Sequence, residues 1–141
     1  MCSDSPTRRR RRDRRYAVSL AFERLEVYRC ATEHLVLAVR ITQGAVRPPG
    51  FLTDPYRRAA LAIPLNIAEG VGKTGAEEQR RLYGVARGSA MECGAILDAI
   101  ALLGVADEAT VKEGKELLER IVRILTVMCL PRPRYRRGAH D

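Results

Sequence analysis

The sequence predicts an all-α chain, an antiparallel up-down four-helix bundle with disordered basic N- and C-terminal tails. Three observations carry that expectation. Apolar residues recur at three- and four-residue steps through four long stretches, no stretch alternates with the two-residue period of a strand, and Gly and Pro collect in the gaps between stretches. Four amphipathic helices on short connections cover their apolar stripes by running up and down against one another.

The first helix is expected over about residues 22–43, with Phe22, Leu25, Tyr28, Leu35, Val39 and Thr42 inward and Arg24, Glu26, Arg29, Glu33 and Arg40 between them. Gly44, Pro48, Pro49 and Gly50 end it. The second, about 52–70, places Tyr56, Ala59, Ala60, Ile63 and Ile67 on one face, and Pro64 predicts a kink near Ala60 to Ile63. Gly70, Gly72 and Gly75 mark a turn, and Thr74 with Glu77 predicts a capping box for the third helix. That helix, about 76–103, carries Leu82, Ala86, Ser89, Cys93, Ile96, Leu97, Ile100 and Leu103, and Gly104 stops it. Asp107 is the expected N-cap of the fourth, about 108–129, with Val111, Leu117, Leu118, Ile121, Leu125 and Met128 inward. On its outer face Lys112 and Glu116, Lys115 and Glu119, Glu116 and Arg120, and Glu119 and Arg123 stand four apart, as ion pairs along a helix do.

At 141 residues and 46% hydrophobic, the chain can fill one core without a metal or disulfide staple. Its formal net charge of +8 is unevenly placed. Residues 1–16 hold seven Arg against two Asp and residues 131–141 hold four Arg against one Asp, which leaves 17–130 neutral. The run Arg8, Arg9, Arg10, Arg11, Arg12, followed by Arg14 and Arg15, repels itself and resists folding. The chain therefore divides into a tail (1–16), a bundle (17–130) and a second tail (131–141). Within the bundle, residues 57–87 carry six basic and three acidic groups, and 92–119 carry two basic and seven acidic.

Cys2, Cys30, Cys93 and Cys129 lack the spacing of a zinc site, so reduced thiols in a cytoplasmic protein are expected. No segment has the roughly 20 apolar residues of a membrane span, and no signal-type apolar stretch follows the N-terminal arginines. Cys30 and His34 could share a helix face, but two ligands are too few for a metal, and the reading favoured is a core thiol beside a half-exposed imidazole. Gly70-Val71-Gly72-Lys73-Thr74 lacks the first glycine and the preceding strand of a phosphate-binding loop. With His140 in a tail, no nucleophile–base set can be proposed; neither enzyme nor cofactor is expected. Asn66, Glu69, Ser89 and Glu92, near Arg57, Arg58 and Arg87, form a polar cluster expected to satisfy itself across the second and third helices, fixing register or a subunit contact. An enzyme would instead need Asn66, Glu69 and Glu92 in a pocket open to solvent.

The stretch from Arg57 to Gly70, Arg-Arg-Ala-Ala-Leu-Ala-Ile-Pro-Leu-Asn-Ile-Ala-Glu-Gly, followed by Ala86-Arg87-Gly88-Ser89 and Glu92, resembles the bacterial four-helix-bundle family named for proteins encoded in intervening sequences of large-subunit ribosomal RNA genes. Phe22 to Tyr28 resembles that family's start. A related branch is the accessory variability determinant of diversity-generating retroelements, a pentamer that binds nucleic acid and the reverse transcriptase. The resemblance implies a four-helix protomer, a homopentamer and no enzymatic activity. The chain departs from the pattern at Gly75, where a capping Ser is usual, and at Gln79 and Leu82, where aromatics are common.

Two functions follow as expectations. The first is a non-catalytic, homo-oligomeric nucleic-acid-binding accessory factor for RNA or a ribonucleoprotein. Its phosphate contacts would come from Arg8, Arg9, Arg10, Arg11, Arg12, Arg14, Arg15, Arg57, Arg58, Lys73, Arg80, Arg81 and Arg87. The second is an interaction scaffold that docks a protein such as a reverse transcriptase without touching nucleic acid.

Overall fold

The computed structural model describes residues 20–131. The expected disorder of 1–16 and nearly all of the second tail lie outside them. A 3-10 turn at Ala21–Arg24 leads into α1 (Glu26–Gln43), followed by α2 (Gly50–Gly72), α3 (Ala76–Leu103) and α4 (Glu108–Met128). There is no strand among the described residues.

Cross-helix contacts fix the directions. Arg57, early in α2, donates from Nε to Thr42 Oγ1 at the end of α1, 2.9 Å away. Gly70, near the end of α2, meets Tyr83, early in α3. Lys115, early in α4, pairs at 2.7 Å with Asp98, late in α3. Arg120 of α4 pairs with Glu26, the first residue of α1. Each helix therefore runs against its predecessor and α4 returns beside α1. Packing joins α1 to α2, α2 to α3, α3 to α4 and α4 to α1, while the backbones of the diagonal pairs stay apart. This is the up-down bundle.

Tyr56, Ile63, Ile67, Cys93, Leu97, Ile100, Ile121 and Leu125 are fully buried at its centre. The faces of α2, α3 and α4 follow the predicted stripes, except that Leu103 is exposed and Ser89, Ile96, Leu117 and Met128 are half-buried. On α1 the stripe is displaced: Val27, Cys30, Ala31, His34, Leu37, Ala38 and Ile41 point inward with Thr42, whereas Val39 is exposed and Tyr28 and Leu35 are half-buried. Glu26, Arg29, Glu33 and Arg40 gather on one side of this helix, and the apolar arc facing them is wide enough to hold both the predicted stripe and the observed one. Small residues decide between them, because Ala31 and Ala38 let the neighbouring helices close in.

The ends also differ in detail. α2 runs without a break through Pro55 and Pro64, each of which leaves one carbonyl of the preceding turn without its ladder bond. The Thr74–Glu77 capping box does not form: the N-cap is Gly75, with no side-chain bond, and Gln79 Nε2 instead donates to the Lys73 carbonyl at 3.0 Å. Asp107 does cap α4, accepting from the Thr110 amide at 3.1 Å and its hydroxyl at 2.8 Å. Gly104 (φ 64°) closes α3 in a Schellman turn, its N–H bonding to the Ala101 carbonyl and that of Val105 to Ile100. The i,i+4 pairs expected along α4 give way to bonds between helices, from Lys115 to Asp98 and Arg120 to Glu26.

His34 is not half-exposed but fully buried, with Tyr56 Oη 2.9 Å from its Nε2. Its Nδ1 has no partner. If Tyr56 donates to Nε2, one buried N–H is left unpaired; the other tautomer leaves both the Tyr56 hydroxyl proton and a bare Nδ1. The first strands fewer groups and is the better assignment. Burial lowers the His34 pKa to about 4 and raises those of the Tyr56 hydroxyl and the Cys93 thiol, the latter to about 12.

Two outcomes are expected. Since the unfolded chain takes up the His34 proton near pH 6.5 and the folded chain only near 4, stability is complete above 6.5 and about 3 kcal/mol of it is lost as the pH falls through that window. Urea unfolding should show this loss in the wild type beyond that of a His34→Leu/Tyr56→Phe variant; parallel losses would exclude it. A methyl on Gly70 would lie 2.6 Å from Tyr83 Cε1, so Gly70→Ala should cost about 1–3 kcal/mol, while Gly72→Ala, with nothing nearby, should cost nothing.

Candidate nucleic-acid interface

Up-down connectivity decides where the charges go. The start of α1, the α2–α3 turn and the end of α4 share one end of the bundle, which we term the terminal end. Leu20 and Pro131, the last described residues, therefore leave from that end, and the tail arginines Arg8, Arg9, Arg10, Arg11, Arg12, Arg14 and Arg15 attach there through Leu20. These arginines themselves lie outside the described residues.

The basic segment 57–87 does not stay together. Lys73, Arg80 and Arg81 lie at the terminal end, while Arg57 and Arg58 lie roughly 20 Å along α2 towards the opposite end. Arg87 is half-buried between α3 and α4, with its Nε donating to Thr126 Oγ1 at 2.9 Å. Around the turn, Lys73 is 3.9 Å from Glu69, and Arg81 makes a two-pronged bond to Glu78 at 2.8–3.0 Å. That hydrogen bond holds the Glu78 carboxyl below its usual range and raises Arg81 in turn. Over residues 69–81 three basic groups face three acidic ones, so the turn is neutral by itself. An exposed pair such as Arg81–Glu78 is screened by solvent, and a phosphate can replace the carboxylate.

The polar cluster is not mutually bonded. Asn66 Nδ2 donates to the Ala62 carbonyl of its own helix at 2.8 Å, Glu69 is exposed beside Lys73, and Ser89 and Glu92 have no hydrogen bond or ion pair among the described residues. Asn66 and Glu69 find their partners on or just beyond their own helix, so neither draws on the facing one. Nor is Gly70–Thr74 a phosphate loop: Gly70 is buried in α2 against the Tyr83 ring.

Sequence reasoning missed the opposite corner, where α1 passes into α2. Residues 40–58 carry Arg40, Arg47, Arg57 and Arg58 against Asp54 alone. This is a net basic patch on the bundle itself, and its signal was present in the connecting loop. The described residues contain no group of three His, Cys, Asp or Glu side chains able to hold a metal, and no helix among them is long and apolar enough to cross a membrane.

The family model described as 23S rRNA-intervening sequence protein matches residues 23–127, which span all four helices. The chain belongs to that family. No curated protein matches the sequence. In this member of the 23S rRNA-intervening sequence family the match ends close to where the described helices end, and the arginines of both tails lie beyond it.

Because Arg87 is tied to Thr126 rather than displayed, Arg87→Gln should leave any affinity for RNA within about twofold while lowering stability by about 1 kcal/mol. An affinity loss with unchanged stability would show that Arg87 is a contact residue.

Proposed function

We propose that this protein is a non-catalytic, homo-oligomeric RNA-binding accessory factor that holds RNA at the terminal end of the bundle. The observation that carries the reading is the exit of both arginine-rich tails from one end of a neutral body. Residues 1–16 and 131–141 hold eleven arginines, and long-range attraction to phosphates is strongest where like charges are gathered. The family's name, tied to an intervening sequence of 23S rRNA, favours RNA as the polyanion. Assembly into a homopentamer, implied by the resemblance of the Arg57–Gly70 stretch, would multiply the charge of each chain fivefold. Exposed Phe51, Leu61 and Leu65 on α2 offer apolar surface for such contacts. Cys30, Cys93 and Cys129 are unbridged, which suits a cytoplasmic location.

A second reading, a scaffold that docks a protein such as a reverse transcriptase, draws on the groove between α3 and α4. This groove, about 540 Å³, is lined by Met91, Ala95, Leu118 and Val122 with Asp98 and Lys115 at its edge.

Fluorescence anisotropy with a labelled 5′-hydroxyl RNA, read at about 50 and about 200 mM salt, separates the two. The wild type should lose affinity steeply with salt. Replacing Arg8–Arg12, Arg14 and Arg15 by Gln should weaken binding at least about tenfold and flatten the slope by roughly 0.7 for each phosphate no longer neutralised. Lys73→Gln/Arg80→Gln/Arg81→Gln should act in the same direction and less. Equal affinity and slope in the tail variant would remove the tails from the interface, and a stoichiometric protein partner without RNA would favour the scaffold.

A further inference from the structure

We infer that the α1–α2 corner holds a second anion site, distinct from the terminal end, that takes a phosphomonoester group. A polar pocket of about 510 Å³ opens there, lined by Thr42, Gln43, Arg47, Pro48, Thr53 and Arg57. Two guanidinium groups border it and no carboxylate does. Neither Arg47 nor Arg57 has a carboxylate oxygen within 4 Å among the described residues, unlike Lys73 and Arg81 at the other end. The corner's one acid, Asp54, lies in the adjoining shallow groove with Arg57 and Arg58.

Arg57 is held in place. Its Nε donates to Thr42 Oγ1, and the Thr42 hydroxyl, itself buried, donates to the Ala38 carbonyl at 2.9 Å. The chain from guanidinium to hydroxyl to helix backbone uses one edge of the fork and leaves both terminal nitrogens open to a ligand. A guanidinium fixed in this way loses little freedom when it binds, and its fork matches two oxygens of a phosphate. Arg47, on the connecting loop, supplies the second positive charge, which suits a dianionic monoester better than the single charge of a diester linkage in a strand. Thr53 and Gln43 add polar groups that can bond to a phosphate oxygen or to the group it carries. The ligand is therefore a phosphate ester with a free end, and the two sources of that chemistry are a small phosphate compound and the 5′-phosphorylated end of an RNA strand.

Nitrogen-15 NMR of the full-length chain tests the site with three probes: inorganic phosphate, adenosine 5′-monophosphate, and a short RNA with or without a 5′-phosphate. The Arg57 side-chain Nε and the amides of residues 47–53 should shift saturably with phosphate or the monophosphate, and not with sodium chloride at matched ionic strength. Arg47→Gln should abolish saturation without disturbing the bundle, since Arg47 makes no described bond. Arg57→Lys, which keeps the charge and loses the fork, should weaken it at least about tenfold. Tighter saturation by the 5′-phosphorylated RNA than by the monophosphate marks a strand end as ligand, and equal saturation marks a small phosphate compound. Shifts that follow ionic strength alone, equal responses to 5′-phosphate and 5′-hydroxyl RNA, or saturation unchanged in Arg47→Gln would overturn the proposal. Binding of 5′-hydroxyl RNA at the terminal end should survive Arg47→Gln, so the two sites can fail separately.

Discussion

The close approach of α2 and α3 at Gly70 governs the arrangement of the whole molecule. With the Tyr83 ring occupying the space where a Cβ would stand, two long helices can be joined by the three residues 73–75 and still pack along their lengths. Connections of six and four residues, 44–49 and 104–107, complete the reversals. An even number of antiparallel helices returns the chain to the end where it began. That Leu20 and Pro131 stand at the same end of the bundle is thus a consequence of topology, and it requires no charge on the bundle surface.

Among the described residues the buried set departs from apolar packing at His34 and, near the end of α1, at Thr42. His34 and Tyr56 tie α1 to α2 at full burial, and the unpaired Nδ1 of His34 is a cost that the bond to Tyr56 offsets only in part. Around it the bundle is drawn in by small residues, Ala31 and Ala38 on α1 and Gly114 on α4, whose Cα approaches Leu37 and Leu97 so closely that an added Cβ would lie 3.0 Å from each. Polar bonds between helices are few and lie towards the surface. Thr42–Arg57, Asp98–Lys115, Glu26–Arg120 and Arg87–Thr126 set direction and register more than they add stability.

Much of this was legible in the sequence. Helix number, the glycine and proline breaks, the α2 face and the Asp107 cap all follow from local pattern, because each rests on interactions within a turn or two. The α1 face followed only in part: its charged residues mark the outer side, but the apolar arc opposite them is wider than one stripe, and the packing of its neighbours decides which part of it is buried. His34 stands in register with Val27, Cys30, Leu37 and Ile41, so spacing carried its burial even though residue type argued against it. The charged segment 57–87 misled for the opposite reason. Residues close in sequence but divided between two antiparallel helices end up at both ends of the molecule, and neighbouring carboxylates neutralise the part that stays at the turn. The basic α1–α2 corner emerges only when the loop is counted with the helices it joins.

The central claim is the proposal that RNA is held at the terminal end, by the arginines of the two tails that join the bundle there. Photocrosslinking a 5′-hydroxyl RNA to the full-length protein, with the crosslinked residues assigned by mass spectrometry, tests it most directly. Crosslinks confined to residues 1–24, 69–81 and 124–141 are the predicted result, and crosslinks concentrated on the outer faces of α3 and α4 or at residues 40–58 would contradict it.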